Sequence, residues 1–144
     1  MAAGESGSFT GTWVANGTKD VLSFGEKRET ALFKLSGHVN LKDQVGKQND
    51  YWSECIGLAD TESGSNIRCV WRGLNGQEIY IVLQSQKLAK GVSVSGTFVG
   101  GTGLAAGIKG SLSFEWSTMS FQKQNNSTSL GGYATNLNGT FQLP

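Results

Sequence analysis

The sequence predicts an all-β protein, a single antiparallel up-and-down β-barrel of eight strands, or nine. Apolar and polar residues alternate along most of the 144 residues, and no segment of about ten residues or more shows a helical period. Glycine accounts for 21 residues and proline for one, whereas glycine usually makes up about 7% of a chain. This combination is typical of short strands joined by tight turns.

The alternation predicts strands in chain order at residues 9–15, 18–24, 29–39, 51–59, 66–72, 77–84, 92–98, 106–116 and 133–142. The clearest is 106–116, in which Leu112, Phe114 and Trp116 share one face and polar residues the other. Asn16-Gly17, Ser63-Gly64 and Asn75-Gly76 are turn signals, and the last favours a two-residue type I′ hairpin. Residues 42–50 and 122–129 lack apolar periodicity, which predicts loops.

Strands that follow one another through hairpins form a meander, and a meander removes its exposed edges by closing into a barrel. A sandwich of two sheets is the structural alternative. The length fits one domain, so we expect residues 1–144 to form one barrel, with residues 1–8 as a flexible N-terminus.

The charge balance limits the partners. Twelve basic and 11 acidic residues give a net charge of +1 and no basic patch, so neither nucleic acid nor membrane insertion is expected. Two cysteines and one histidine are too few for a zinc site, and no cofactor motif is present, so we predict neither a metal nor a cofactor. The oligomeric state stays open.

The N-terminus lacks the basic and apolar regions of a signal peptide, which taken literally indicates the cytoplasm. It also reads as a mature N-terminus behind an added methionine. A periplasmic or secreted mature form is therefore favoured, with the cytoplasm expected if the sequence is complete as given.

Five segments carry a resemblance to a known family. Residues 54–57 (ECIG), 68–71 (RCVW), 75–80 (NGQEIY), 96–98 (GTF) and 100–110 (GGTGLAAGIKG), in this order, resemble bacterial proteins of the allene oxide cyclase-like barrel superfamily. The resemblance implies an eight-stranded antiparallel, calycin-like barrel whose interior can hold an apolar small molecule. It carries over no catalytic residue, because no local motif matches those of the plant cyclases.

The segments at 51–57 and 67–72 read as one β-hairpin. If the hairpin closes symmetrically around residues 61–63, Cys55 lies directly opposite Cys69. Directly opposed Cβ atoms are about 4.5–5.5 Å apart, close enough for a disulfide after small adjustment. A disulfide fits an exported protein, and two buried thiols are the alternative for a cytosolic one.

The same register makes Arg68 and Arg72 diagonal neighbours of Glu54, and the two-residue turn at 75–76 pairs Trp71 with Tyr80. Inside the lumen the charged cluster would anchor a ligand, whereas outside it would be a surface ion pair of little energetic value. Parity alone does not say which face looks inward. His38, at a strand end without a definable carboxylate partner, is expected at the surface rather than as a general base.

The leading hypothesis is a barrel that binds an apolar small molecule in its lumen. Its candidate ligand-binding residues are aromatic: Trp52, Trp71, Tyr80, Phe98 and Phe114. The first alternative is a cofactor-independent cyclase or isomerase acting on a polyketide-like or oxylipin-like substrate, with weak catalytic candidates Glu54, Arg68, Arg72 and Tyr80. The second alternative is a structural or interaction module whose barrel is filled by side chains.

Overall fold

A computed structural model describes residues 4–23, 25–85, 92–124 and 127–144. Its strands are β1 (Ser6–Ser23), β2 (Glu29–Asp43), β3 (Gln48–Asp60), β4 (Gly64–Gly73), β5 (Glu78–Ser85), β6 (Val92–Gly101), β7 (Lys109–Gln124) and β8 (Ser127–Gln142). Each strand pairs antiparallel with the next, and β8 pairs with β1, which closes the barrel. The predicted eight-stranded up-and-down barrel is confirmed.

The two ends of the barrel differ. Strands β1, β3, β5 and β7 finish at one end of the barrel, which we call the hairpin end. The opposite end is called the terminal end. At the terminal end a 3₁₀ turn, Gly103–Ala105, connects β6 to β7. The first and last described residues meet there, where the backbone N–H of Leu143 donates to the carbonyl of Glu5 at 2.8 Å. Within the described ranges, no helix is long and apolar enough to cross a membrane.

Strand β1 is continuous where the sequence predicts a turn at Asn16-Gly17. Asn16 pairs with Ser36 and Gly17 with Leu35, so the prediction of separate strands at 9–15 and 18–24, and with it a ninth strand, is wrong. A Cβ atom at position 17 would lie 1.8 Å from the carbonyl oxygen of Lys34. The glycine is needed for close approach of two strands and not for a turn. Phe24, the last residue of the second predicted strand, lies outside the described residues.

Both predicted loops are shorter in the structure. Strand β2 continues to Asp43 and β3 begins at Gln48, so only residues 44–47 of the predicted loop at 42–50 lie between the strands. Strand β7 continues to Gln124 and β8 begins at Ser127, and residues 125–126 lie outside the described ranges. Strand β1 likewise begins at Ser6, because residues 6–8 pair with β8. These strand ends were not recognised because polar side chains dominate them, as at residues 48–50 and 122–124.

The turn between β4 and β5 contains three residues, Leu74, Asn75 and Gly76, and not the predicted two. Gly73 donates its N–H to the carbonyl of Gln77 at 2.9 Å, and Gly76 has a φ of 79°. Such a loop consists of a turn followed by a left-handed residue. The extra residue shifts the register by one, so Trp71 pairs with Ile79 and not with Tyr80.

The β3–β4 hairpin has the predicted register. Cys55 pairs directly with Cys69, and the two form a disulfide with an S–S distance of 2.05 Å. Cys55 is 6% exposed and Cys69 2%. Alternation makes the face that carries both cysteines the inner face of the barrel, and Glu54 and Arg72 therefore lie outside.

Candidate functional site

Aromatic side chains fill the body of the lumen. Neighbouring ring centroids lie 5.3–6.4 Å apart in a continuous network that consists of Phe9, Trp13, Tyr51, Trp71, Phe98, Phe114 and Trp116. Trp71 is completely buried, and Phe98 and Phe114 are 3% and 5% exposed. These three predicted ligand-binding residues pack against other rings and do not line an open space. An eight-stranded barrel is just wide enough to be filled in this way.

Polar atoms are rare inside this network. The indole N–H of Trp13 donates to Ser53 Oγ at 2.9 Å, and Ser53 Oγ donates to the carbonyl of Gly37 at 3.3 Å. In the part of the chain that the structure describes, the buried Nε1 of Trp71 has no hydrogen-bond partner. Burial raises the pKa of Tyr51 to about 12, because the phenolate would lose its hydration.

Three of the predicted catalytic residues lie together on the outer face. Arg72 contacts Glu54 Oε1 through Nη1 at 3.1 Å and donates from Nε to Glu78 Oε2 at 2.9 Å. Tyr80 donates its hydroxyl to Glu78 Oε1 at 3.0 Å. The bond to Glu54 and then that to Glu78 raise the pKa of Arg72, and the bond to Glu78 raises the pKa of Tyr80. A molecule held in the lumen would not reach this cluster.

The other outward candidates lie apart from it. Arg68 donates to Asn66 Oδ1 instead of to Glu54. Trp52 is 51% exposed on the outer face, so neither it nor Tyr80 lines the lumen. His38 is exposed with its Nε2 3.0 Å from Asp50 Oδ1, as expected for a surface residue.

The inner face changes character at the hairpin end, where several of the described inward residues are only partly buried, although Thr128 on β8 is buried. We call this region the mouth; it consists of Lys19, Phe33, Leu35, Gly57, Ala59 and Trp116. Each alternates along its strand with exposed outward residues, such as Leu58 beside Ala59. Phe33, Leu35 and Trp116 pack on the buried core below them. The mouth is therefore an apolar surface inside the barrel wall that solvent still reaches.

Small residues occupy part of the inner face at the mouth. Gly57 and Ala59 contribute almost no side-chain volume to the inner face of β3. Gly132 on β8 lies against the indole of Trp116, where a Cβ atom would be 2.4 Å from the ring. None of the six residues of the mouth is among those predicted from the sequence to bind a ligand, although Gly17 and Lys19 share the inward parity of Trp13 on β1. That parity was the available signal, and the false turn at Asn16-Gly17 obscured it.

An ion pair connects two hairpins beside the mouth. Arg28, just before β2, donates from Nε and Nη2 to the carboxylate of Asp60 at 3.0–3.1 Å and also contacts Glu62 at 3.2 Å. Asp60 further accepts the backbone N–H of Glu62 at 2.8 Å. The bond from Arg28 and then the one from Glu62 lower the pKa of Asp60 to about 2. The pair joins the β1–β2 hairpin to the β3–β4 hairpin.

Two depressions lie elsewhere. A cavity of about 30 Å³ at the terminal end, beside Phe9 and Phe141, has room for a water molecule. A groove of about 500 Å³ crosses the outer face of β6, β7 and β8 and is lined mainly by serine, threonine, asparagine and glycine. The cavity borders the aromatic network at Phe9, and the groove lies outside the network.

No protein-family model and no curated protein matches the sequence. Among solved structures, the fold is similar to that in "Structure of the pterocarpan synthase dirigent protein GePTS1", with a TM-score of 0.49. The two sequences are 10% identical, and the match covers 100% of this chain and 90% of that one. Membership of the allene oxide cyclase-like superfamily, and a bacterial source, stay predictions.

Proposed function

We propose that this protein binds an apolar small molecule at the mouth of the barrel, above a lumen that its own side chains fill. One observation carries the proposal: inward apolar residues are almost completely buried along the body of the barrel, whereas Phe33, Leu35 and Trp116 stay partly accessible. Exposed apolar surface on a concave wall favours ligand binding. The proposed ligand site is therefore the mouth of the barrel, whereas the sequence predicted a site inside the lumen.

The test uses dodecanol as a neutral apolar probe and compares two neighbouring variants. Ala59 points into the mouth and Leu58, its neighbour, points outward with 56% exposure. We expect the wild type and Leu58→Phe to bind dodecanol and Ala59→Phe to bind it at least tenfold more weakly, because the new ring occupies the mouth. Amide chemical shifts in NMR titrations measure both affinity and location.

The proposal predicts that the shifted amides cluster at Leu35, Gly57 and Trp116 and leave Tyr51 and Trp71 unchanged. Equal binding by the wild type and Ala59→Phe would place the ligand elsewhere and refute the proposal. No binding by the wild type would also refute it.

An interaction module with a filled barrel is the second candidate. Its support is the outer face of β3, where Trp52, Ile56 and Leu58 are 51%, 53% and 56% exposed. Large exposed apolar residues in one row are typical of contact surfaces. The cyclase or isomerase alternative gains no comparable support, since Glu54, Arg72 and Tyr80 lie outside the barrel.

A further inference from the structure

Lys19 places a positive charge at the mouth. It lies on β1 between the exposed residues Thr18 and Asp20 and is itself partly buried, on the inward parity of Trp13. Its pairing partners are Phe33 on β2 and the buried Thr128 on β8. A lysine in this position can lay its aliphatic stem against apolar neighbours while the ammonium group reaches toward water.

The acidic groups nearby are engaged or point away. Asp60 and Glu62 contact Arg28, and Asp20 lies on the outer face of β1. Across the described ranges, no carboxylate forms an ion pair with Lys19. Among the residues whose side chains the structure describes, the mouth therefore combines an apolar surface with the cation of Lys19, and that combination is complementary to an anionic head group on an apolar chain.

We propose that the ligand of the mouth is an anionic amphiphile, a long-chain carboxylate, whose carboxylate pairs with the Lys19 ammonium while its chain lies against Phe33, Leu35 and Trp116. The inference rests on the proposed function, because it assigns a head group to the apolar ligand. A charge-assisted hydrogen bond at a partly buried site is stronger than a neutral one. We expect dodecanoate to bind roughly tenfold more tightly than dodecanol, which corresponds to about 1.4 kcal/mol.

The experiment measures dissociation constants of dodecanoate and dodecanol below their aggregation concentrations, by NMR titration, for the wild type, for Ala59→Phe and for three lysine variants. Lys19→Met keeps the apolar stem and removes the charge, so the preference for dodecanoate should disappear while dodecanol affinity persists. Lys19→Arg restores the charge and should restore most of the preference. Lys34→Met is the matched control, since Lys34 is an exposed lysine on the outer face of β2.

The outcomes separate the two proposals. If the wild type binds both probes equally at the mouth and Lys19→Met changes neither, the ion pair is refuted and the apolar site stands. If Lys34→Met loses the preference as fully as Lys19→Met does, general charge attraction explains it and the inference fails. If dodecanoate binds equally well to Ala59→Phe, the molecule lies outside the mouth, which refutes both.

Discussion

Trp13 on β1 donates its indole N–H to Ser53 Oγ on β3 at 2.9 Å, across the interior of the barrel. Ser53 is completely buried and Trp13 is 3% exposed. The bond joins two strands that are not neighbours in the sheet. It fixes the orientation of the ring that contacts Trp71, Phe114 and Trp116 in the aromatic network.

Replacing Ser53 with alanine should therefore destabilise the barrel. The change leaves the Trp13 N–H buried without an acceptor, and we expect the free energy of unfolding to fall by about 1–3 kcal/mol. Urea denaturation measures the difference. The control is Ser95→Ala on the exposed outer face of β6, which should change the value little. Equal effects of the two substitutions would show that the hydrogen bond contributes nothing of its own.

The two central tryptophans permit a paired comparison. Trp13→Phe and Trp71→Phe each remove the same atoms from a fully packed interior. Only Trp13→Phe also breaks a hydrogen bond, since within the described residues the Trp71 N–H has no partner. We expect Trp71→Phe to lower the free energy of unfolding less than Trp13→Phe does. The reverse order in urea denaturation would contradict this account of the two indoles.

The disulfide between Cys55 and Cys69 should contribute to stability through the unfolded state. Its sequence separation of 14 residues corresponds to about 3 kcal/mol in the loop-entropy model. Unfolding in urea with and without reductant measures the contribution. A Cys55→Ala/Cys69→Ala double variant is the control, since its stability must not respond to reductant. A reduced wild type as stable as the oxidised one would contradict the expected effect.

The β3–β4 hairpin illustrates what the sequence can predict. Symmetric closure around residues 61–63 predicted its register correctly, and with it the direct pairing of Cys55 with Cys69. Alternation alone did not tell which face looks inward, because both faces of the hairpin carry apolar residues. The next hairpin shows the limit. Asn75-Gly76 occurs in two-residue and three-residue loops, and only the longer one directs Ile79 inward and Tyr80 outward.

Two glycines show which features of the structure could not be predicted from the sequence. At position 17 it permits a close approach to Lys34, and at position 132 it makes room for Trp116. Both contacts are made with a neighbouring strand of the sheet, so the residues on either side of each glycine do not reveal its role. Lys19 lies on the inner face because β1 continues through Gly17. A turn at residues 16–17, as the sequence predicts, does not place Lys19 there.

The charged cluster of Glu54, Arg72 and Glu78 on the outer face gives a prediction about ligand binding. Glu54→Gln removes one of the two carboxylates that contact Arg72. Because the cluster is exposed and lies outside the barrel, we expect unchanged affinity for dodecanol and dodecanoate and little change in stability. NMR titration and urea denaturation measure both. A loss of ligand affinity without unfolding would mean that the outer face, and not the mouth, holds the ligand.

The Arg28–Asp60 ion pair predicts that the stability of the protein depends on pH in the acidic range. The pKa of Asp60 is about 2 in the folded protein, below its ordinary value of 3.8. The stabilisation is therefore present above the unfolded value and is lost as the pH falls from about 4 toward 2. Asp60→Asn should be less stable than the wild type near neutrality, and the difference should shrink across that acidic window. Denaturation curves at several pH values measure it.

The matched control is Asp20→Asn, an exposed aspartate on the outer face of β1. It should leave the pH profile of stability close to that of the wild type. A constant difference between Asp60→Asn and the wild type down to pH about 2 would contradict linkage through this carboxyl.

Tyr51 gives the corresponding prediction in alkali. It is 4% exposed, and burial raises its pKa from 10.0 to about 12 in the folded protein. Above pH 10 the unfolded chain therefore releases the phenolic proton while the folded chain keeps it, so stability falls as the pH rises through this window. Tyr51→Phe has no such proton to lose, and its stability should decline less steeply between pH 10 and 12. Denaturation curves together with phenolate absorbance measure both quantities, and identical alkaline profiles would contradict a buried Tyr51 hydroxyl.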